Sequence, residues 1–279
     1  MLRLVVAMIA ALMASSVFAQ SAEPQTVTFP GPAGVTLTGY LYLPAHRAGR
    51  APAIVLMHGR AGPYSSLADG DYGASTLSKR HKFWGRFWAD HGYVALLIDG
   101  FGPRGYAGGF PAHSYGARPD AVNEVTVRPL DAYAGLAYLR GRSDVDPGRI
   151  ALMGWSNGGS ATLATMATDA PGRVGAGFRG AVAFYPACGL HDKYADGYKP
   201  YAPVHVFSGE DDEEVSAKRC AKLVDASREA GGEIAITLYP GAEHDFDDPG
   251  RKRQSVPENA DAASDAIPRA LTFIERVTR

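Results

Sequence analysis

The sequence predicts an α/β fold with a mostly parallel central sheet and helices on both faces. Three observations predict it. Short apolar runs such as Ala53-Ile54-Val55-Leu56-Met57 alternate along the chain with longer stretches of helical character. Those runs are apolar throughout, as in strands covered on both faces. Each is followed by a loop carrying glycine or polar residues, and in such sheets ligands bind beyond the carboxyl ends of the strands.

The elements follow in chain order. Met1-Leu2-Arg3 gives a short positive start, Leu4 to Met13 an apolar stretch, and Val17-Phe18-Ala19 small residues ahead of Gln20. This reads as a signal peptide over residues 1–19, so the chain is expected to be exported to the periplasm or secreted. The apolar span is too short for a membrane anchor, and no later segment is apolar enough to cross a bilayer. Residues 20–279 are expected to form a single α/β domain, a length able to bury one large core.

Thr26 to Phe29 and Val35 to Tyr42 alternate apolar and polar residues across a Pro-Gly turn, which predicts a β-hairpin. After the first buried strand come His58-Gly59-Arg60-Ala61-Gly62 and a long polar loop with Tyr64 and Tyr72. Lys82 to His91 reads as a helix with Phe83, Trp84, Phe87 and Trp88 turned inward, and Tyr93 to Ile98 as the next buried strand. Asp99 to Gly105 is a loop at the same edge, residues 106–120 are irregular, and Arg128 to Arg140 is a helix with Leu130, Tyr133, Ala134, Ala137 and Tyr138 inward. The turn Asp146-Pro147-Gly148 leads into a strand over Ile150 to Met153. Gly154-Trp155-Ser156-Asn157-Gly158 follows, and then a buried helix stopped by Pro171-Gly172. Strands at Gly180 to Tyr185, Val204 to Phe207 and Glu233 to Tyr239, and helices at Val215 to Ala230 and Asn259 to Val277, complete the pattern.

Strand, sharp turn and helix form the setting in which Gly-x-Ser-x-Gly carries chemistry. The turn strains the serine and exposes its oxygen, while the glycines let strand and helix pass closely. A serine hydroxyl is a poor nucleophile until a base takes its proton, and the base needs an acid to hold its tautomer. His244, in the loop after the last strand, suits the base; the other histidines lack that placement. The acid is Asp211 or Asp212, both just past Gly209 in an acidic run. Two backbone N–H groups are needed for a developing oxyanion: Asn157, after the serine, and Arg60, in the loop after the first buried strand. Arg104 lies at the same edge, where its guanidinium would hold a substrate carboxylate or pair with a nearby acid such as Asp99.

A formal net charge of −1 with mixed signs argues against nucleic acid as a partner. The two cysteines, Cys188 and Cys220, predict a disulfide in an exported chain, and their spacing offers no metal site. Nothing in the sequence reads oligomeric state.

Five motifs together resemble the dienelactone hydrolase family of the α/β-hydrolase superfamily: His58 to Gly62, Asp99 to Gly105, Gly154 to Gly159, Gly209 to Asp212 and Tyr239 to Phe246. The resemblance covers about the whole mature chain, with the motifs in the family's order. It implies an α/β-hydrolase fold, no metal or organic cofactor, and a triad whose acid matches Asp212 and whose base matches His244. The founding enzymes use a cysteine nucleophile, so Ser156 points to a serine esterase branch. The expected activity is cleavage of small carboxylic esters or lactones. Two other readings are a peptidase similar to prolyl oligopeptidases, which the single-domain length counts against, and an inactive binding protein on the same fold, which the intact triad counts against.

Overall fold

A computed structural model describes residues 23–46 and 49–279; the expected signal peptide lies outside them. Eight strands among the described residues form one sheet in the order β1-β2-β4-β3-β5-β6-β7-β8. They are β1 (Gln25–Pro30), β2 (Thr36–Tyr42), β3 (Ala51–Met57), β4 (Val94–Asp99), β5 (Val145–Trp155), β6 (Ala181–Phe184), β7 (Val204–Gly209) and β8 (Ile234–Tyr239). The expected hairpin forms: β1 pairs antiparallel with β2, and β2 antiparallel with β4. From β4 through β8 every pairing is parallel.

Among the described residues six α-helices connect and cover the strands: α1 (Lys79–Asp90), α2 (Arg128–Arg140), α3 (Asn157–Met166), α4 (Ala217–Glu229), the single turn α5 (Arg251–Gln254) and α6 (Pro257–Val277). Strand side chains alternate, so neighbouring residues serve opposite faces. Ile54, Leu56, Ala151 and Met153 pack with Trp84 and Trp88 of α1 and with Ala266, Ala270 and Ile274 of α6. Val55, Met57, Ile150 and Leu152 pack on the other face with Leu136 and Leu139 of α2, Leu163 of α3 and Val224 of α4. This is the α/β-hydrolase arrangement, with helices on both faces.

Expectations for three elements need correction. Helix α1 starts at Lys79 rather than Lys82, because Ser78 caps it by accepting the His81 N–H at 3.4 Å. Its inward face is Trp84 and Trp88, whereas Phe83 and Phe87 are only half-buried. In α2 the buried face is Arg128, Asp131, Ala132, Gly135, Leu136 and Leu139; Ala137 is exposed. Tyr133, Ala134 and Tyr138 are half-buried and pack at the edge of the core, but the deepest stripe holds two charged residues and a glycine, which hydrophobicity alone does not select. A Cβ on Gly135 would lie 2.5 Å from Ile98 Cδ1, which is how closely α2 seats on β4. Finally, Asp146-Pro147-Gly148 does not precede β5 but interrupts it. Ala51 pairs with Val145 and Ala53 with Ile150, so the turn residues bulge out of the ladder.

The two cysteines are joined: Cys188, beyond β6, is disulfide-bonded to Cys220 in α4, 32 residues along the chain. Among the described residues no helix is long and apolar enough to cross a membrane.

Candidate active site

Ser156 closes β5 and opens α3 with φ 52° and ψ −118°, a left-handed backbone that a non-glycine residue adopts only under strain. The glycines around it allow the tight crossing. A Cβ on Gly158 would stand 2.0 Å from the Met57 carbonyl oxygen, and one on Gly154 would stand 2.3 Å from that of Gly158. The result holds the Ser156 hydroxyl at the carboxyl edge of the sheet, 8% exposed, on a cavity of about 360 Å³.

His244 and Asp212 meet it there. The Ser156 hydroxyl lies 3.0 Å from His244 Nε2, and His244 Nδ1 lies 2.7 Å from Asp212 Oδ2. A carboxylate only accepts, so Nδ1 carries the proton and Nε2 is left as the acceptor facing the serine. Asp212 is itself oriented, because its Oδ1 accepts the Glu214 and Val215 N–H groups, both at 2.8 Å. Asp211 points to solvent, and its backbone N–H donates to the Ala242 carbonyl. Burial opposes a charge on His244. The Asp212 hydrogen bond and the nearby carboxylates of Asp245, Asp212 and Glu214 outweigh burial and raise its pKa above the ordinary histidine value.

Two further members of the acidic run, Glu213 and Glu214, are also wired into the site, which sequence reasoning missed. Glu213 accepts the His244 backbone N–H at 2.9 Å and is held by Arg253 at 2.7 Å. Glu214 forms a two-pronged ion pair with Arg60 and lies 3.9 Å from His244 Nε2. The run of five acidic residues from Glu210 to Glu214, around the candidate acids, was the available signal, although composition alone makes it look like solvated surface.

The two proposed oxyanion donors flank the serine. Asn157 is the first residue of α3, so its N–H has no partner within the helix. For Arg60 the peptide plane is set by its carbonyl side. His58 Nδ1 donates to the Gly59 oxygen at 2.7 Å and the Gly62 N–H donates to it at 3.2 Å, which leaves the Arg60 N–H directed the other way. His58 Nε2 in turn accepts the Gly100 N–H at 3.1 Å. Burial, with Arg128 nearby, pushes the His58 pKa well below the usual histidine value, so His58 acts here as a neutral strut.

Of the two readings open for Arg104, a pair with a local acid is the one that forms, with Asp131 as that acid. Its guanidinium lies against Asp131, with contacts of 3.0 and 2.8 Å, and also donates to the Gly100 carbonyl. It is 6% exposed and takes no part in lining the cavity, so it is not a substrate clamp. Nor is its partner Asp99, whose oxygens accept from Tyr64, Phe101 and Gly102. The charged walls of the cavity are instead Arg60, Lys79, Arg80, Asp245 and Asp248. Arg80 is held by Asp245 at 2.8 Å and Asp248 at 3.3 Å.

Beneath the site lies a buried carboxylate that the sequence did not single out. Asp247 accepts from Trp84 Nε1 at 2.7 Å, from Trp155 Nε1 at 2.9 Å and from the Tyr185 hydroxyl. Tyr185 packs against the His244 ring with centroids 4.6 Å apart. Asp247 thus ties α1, Trp155 just before Ser156 and Tyr185 beside the His244 ring to the His244 loop. Among the described residues no group of three or more His, Cys, Asp or Glu side chains is arranged to hold a metal ion.

Comparison with known proteins follows the same line. Residues 37–278 match the sequence model of the dienelactone hydrolase family. An uncharacterized protein of Mycobacterium tuberculosis is 27% identical over 225 residues, covering 76% of this chain and 69% of that protein. A dienelactone hydrolase-like promiscuous phosphotriesterase from metagenomic libraries superposes with a TM-score of 0.66 at 21% identity, covering 91% of this chain and 98% of that one. An esterase from the planctomycete Thermogutta terrifontis, solved with propionate bound, superposes with a TM-score of 0.58 at 19% identity, covering 90% and 95%. At these identities the structural likeness speaks for the fold.

Proposed function

The chain belongs to the dienelactone hydrolase family of the α/β-hydrolase superfamily, and from that premise we propose that it is an exported serine hydrolase cleaving small carboxylic esters or lactones through an acyl-enzyme. One observation carries the reading: a strained Ser156 hydroxyl stands 3.0 Å from His244 Nε2, with Asp212 on the far side of the same ring. The Ser156 oxygen attacks the ester carbonyl while its proton passes to His244 Nε2. The carbonyl oxygen takes up the negative charge and is held by the Arg60 and Asn157 N–H groups, each donor of this kind being worth about 10²–10³ in rate. Collapse expels the alcohol, which takes the proton from Nε2. A water then gives its proton to Nε2 and attacks the acyl carbonyl, and the acid leaves as Ser156 recovers its proton. Asp212 holds the tautomer and stabilises the imidazolium formed in each step.

The Thermogutta terrifontis relative solved with propionate bound leans toward a short acyl group. The bridged Cys188 and Cys220 suit an oxidising compartment and support export, while one continuous sheet and a family match over residues 37–278 support a single catalytic domain over residues 20–279. The test is a panel of short esters and lactones beside matched amides, with a fluorophosphonate probe. Ester turnover and labelling of Ser156 are expected. Amide turnover without ester turnover would favour a peptidase, and neither turnover nor labelling would favour a binding protein.

A further inference from the structure

Arg128 is fully buried, and its position is a costly one. As the first residue of α2 its cation meets the positive end of the helix dipole, and burying a guanidinium is unfavourable unless it is well paired. Burial pushes its pKa down to about 10, against the opposing pull of Asp131 and Glu124. Pairing is incomplete: Nε and Nη2 are buried and meet no hydrogen-bond partner among the described residues, while the guanidinium faces the Phe101 ring at 5.0 Å. Only Nη1 is used. It donates to the His58 carbonyl at 2.7 Å and to Asn157 Oδ1 at 2.6 Å.

Those two acceptors belong to the two chain segments that bear the oxyanion donors. The His58 carbonyl lies one peptide ahead of the Gly59–Arg60 peptide, and Asn157 carries the second donor on its own backbone. The far end of the Asn157 amide is fixed as well, since its Nδ2 donates to Glu124 at 3.0 Å. We propose that Arg128 is a positioning residue of the oxyanion hole, locking the His58–Arg60 loop to the start of α3 and holding a fixed positive charge behind both donors. The link sets the spacing of the Arg60 and Asn157 N–H groups. The charge sits where the dielectric is low, on the side from which a developing oxyanion is attracted. This rests on Ser156 acting as the acyl nucleophile.

The test uses Arg128→Met and Arg128→Lys beside Ser156→Ala, on a short p-nitrophenyl ester, with an alkyl trifluoromethyl ketone as a probe of the tetrahedral state. Arg128→Met is expected to lower kcat about 10²-fold and to weaken the ketone by a similar factor. KM should stay within about threefold, the signature of an interaction made only in the transition state. Arg128→Lys keeps the charge and should recover part of the loss. A merely structural arginine would move the melting temperature and leave this split unmade, so a folded Arg128→Met with wild-type kcat and ketone affinity overturns the proposal. Should Arg128→Met not fold, Asn157→Ala decides, because it cuts the same link and keeps the backbone donor. It is expected to lose about tenfold or more in kcat at unchanged KM, and wild-type kcat there overturns the proposal equally. Ser156→Ala separates the two readings. Hydrolysis retained in that variant sinks the acyl-enzyme itself, whereas an inactive Ser156→Ala with a fully active Arg128→Met sinks the role of Arg128 alone.

Discussion

The His244 ring is pulled between two influences, burial that disfavours its charge and carboxylates that favour it, and the carboxylates win. A general base works only when neutral, so hydrolysis should fall as pH drops through a value raised from the ordinary histidine value. Glu214, 3.9 Å from Nε2, is one of the carboxylates responsible. Glu214→Gln is therefore expected to move the acid limb of the kcat/KM profile toward lower pH; an unmoved or raised limb would remove Glu214 from this account. Ser156→Ala should leave a folded protein with hydrolysis reduced roughly 10⁴-fold or more. Asp212→Asn should cripple turnover by releasing the His244 tautomer, with Asp211→Asn mild, since Asp211 faces solvent. Steady-state rates of the two variants settle the ranking. At this scale the sequence made the serine and the histidine legible, through the elbow and the post-strand loop. It left Asp211 and Asp212 equivalent until family resemblance was added. Glu213, Glu214 and Asp247 were out of reach, because their partners are Arg253, Arg60, Trp84, Trp155 and Tyr185, most of them distant in the chain.

Among the elements, α3 is the one whose seating has least slack. Gly158 lets it pass the end of β3, and an added methyl would press on the Met57 and His58 carbonyl oxygens at 2.0 and 2.5 Å. Neither is a side chain that can rotate away. Gly158→Ala is expected to cost about 3 kcal/mol of stability by overpacking. It should also lower activity, since the displaced backbone leads into the Arg60 loop. Urea unfolding and ester turnover on the same preparation check both. The strands themselves were readable because apolar runs are short and separated by glycine-bearing turns, whereas their order in the sheet was not. The inward side of α2 was not, because Arg128 and Asp131 are buried by partners rather than by hydrophobicity: Nη1 of Arg128 on His58 and Asn157, and Asp131 on Arg104. A helix that buries charge for a site at its N-terminus defeats a reading by periodicity.

For the molecule as a whole, the disulfide is the one covalent link between distant segments among the described residues. It joins the segment after β6 to α4, whose preceding loop carries Asp212. Closing a loop of 32 residues should contribute about 3–4 kcal/mol through the unfolded chain. A Cys188→Ala/Cys220→Ala double variant should show that loss in urea, and reduction of the wild type should reproduce it. A last consequence follows from where the indoles lie. All three tryptophans, Trp84, Trp88 and Trp155, are fully buried on one face of the sheet, and two of them donate to the carboxylate three residues beyond His244. Of the three, Trp84 and Trp155 therefore report on the packing beneath Ser156 and His244, and Trp88 on the contact of α1 with Tyr93. Emission should red-shift in step with the loss of ester turnover during denaturation, and a periphery that frays first would do so in the dark.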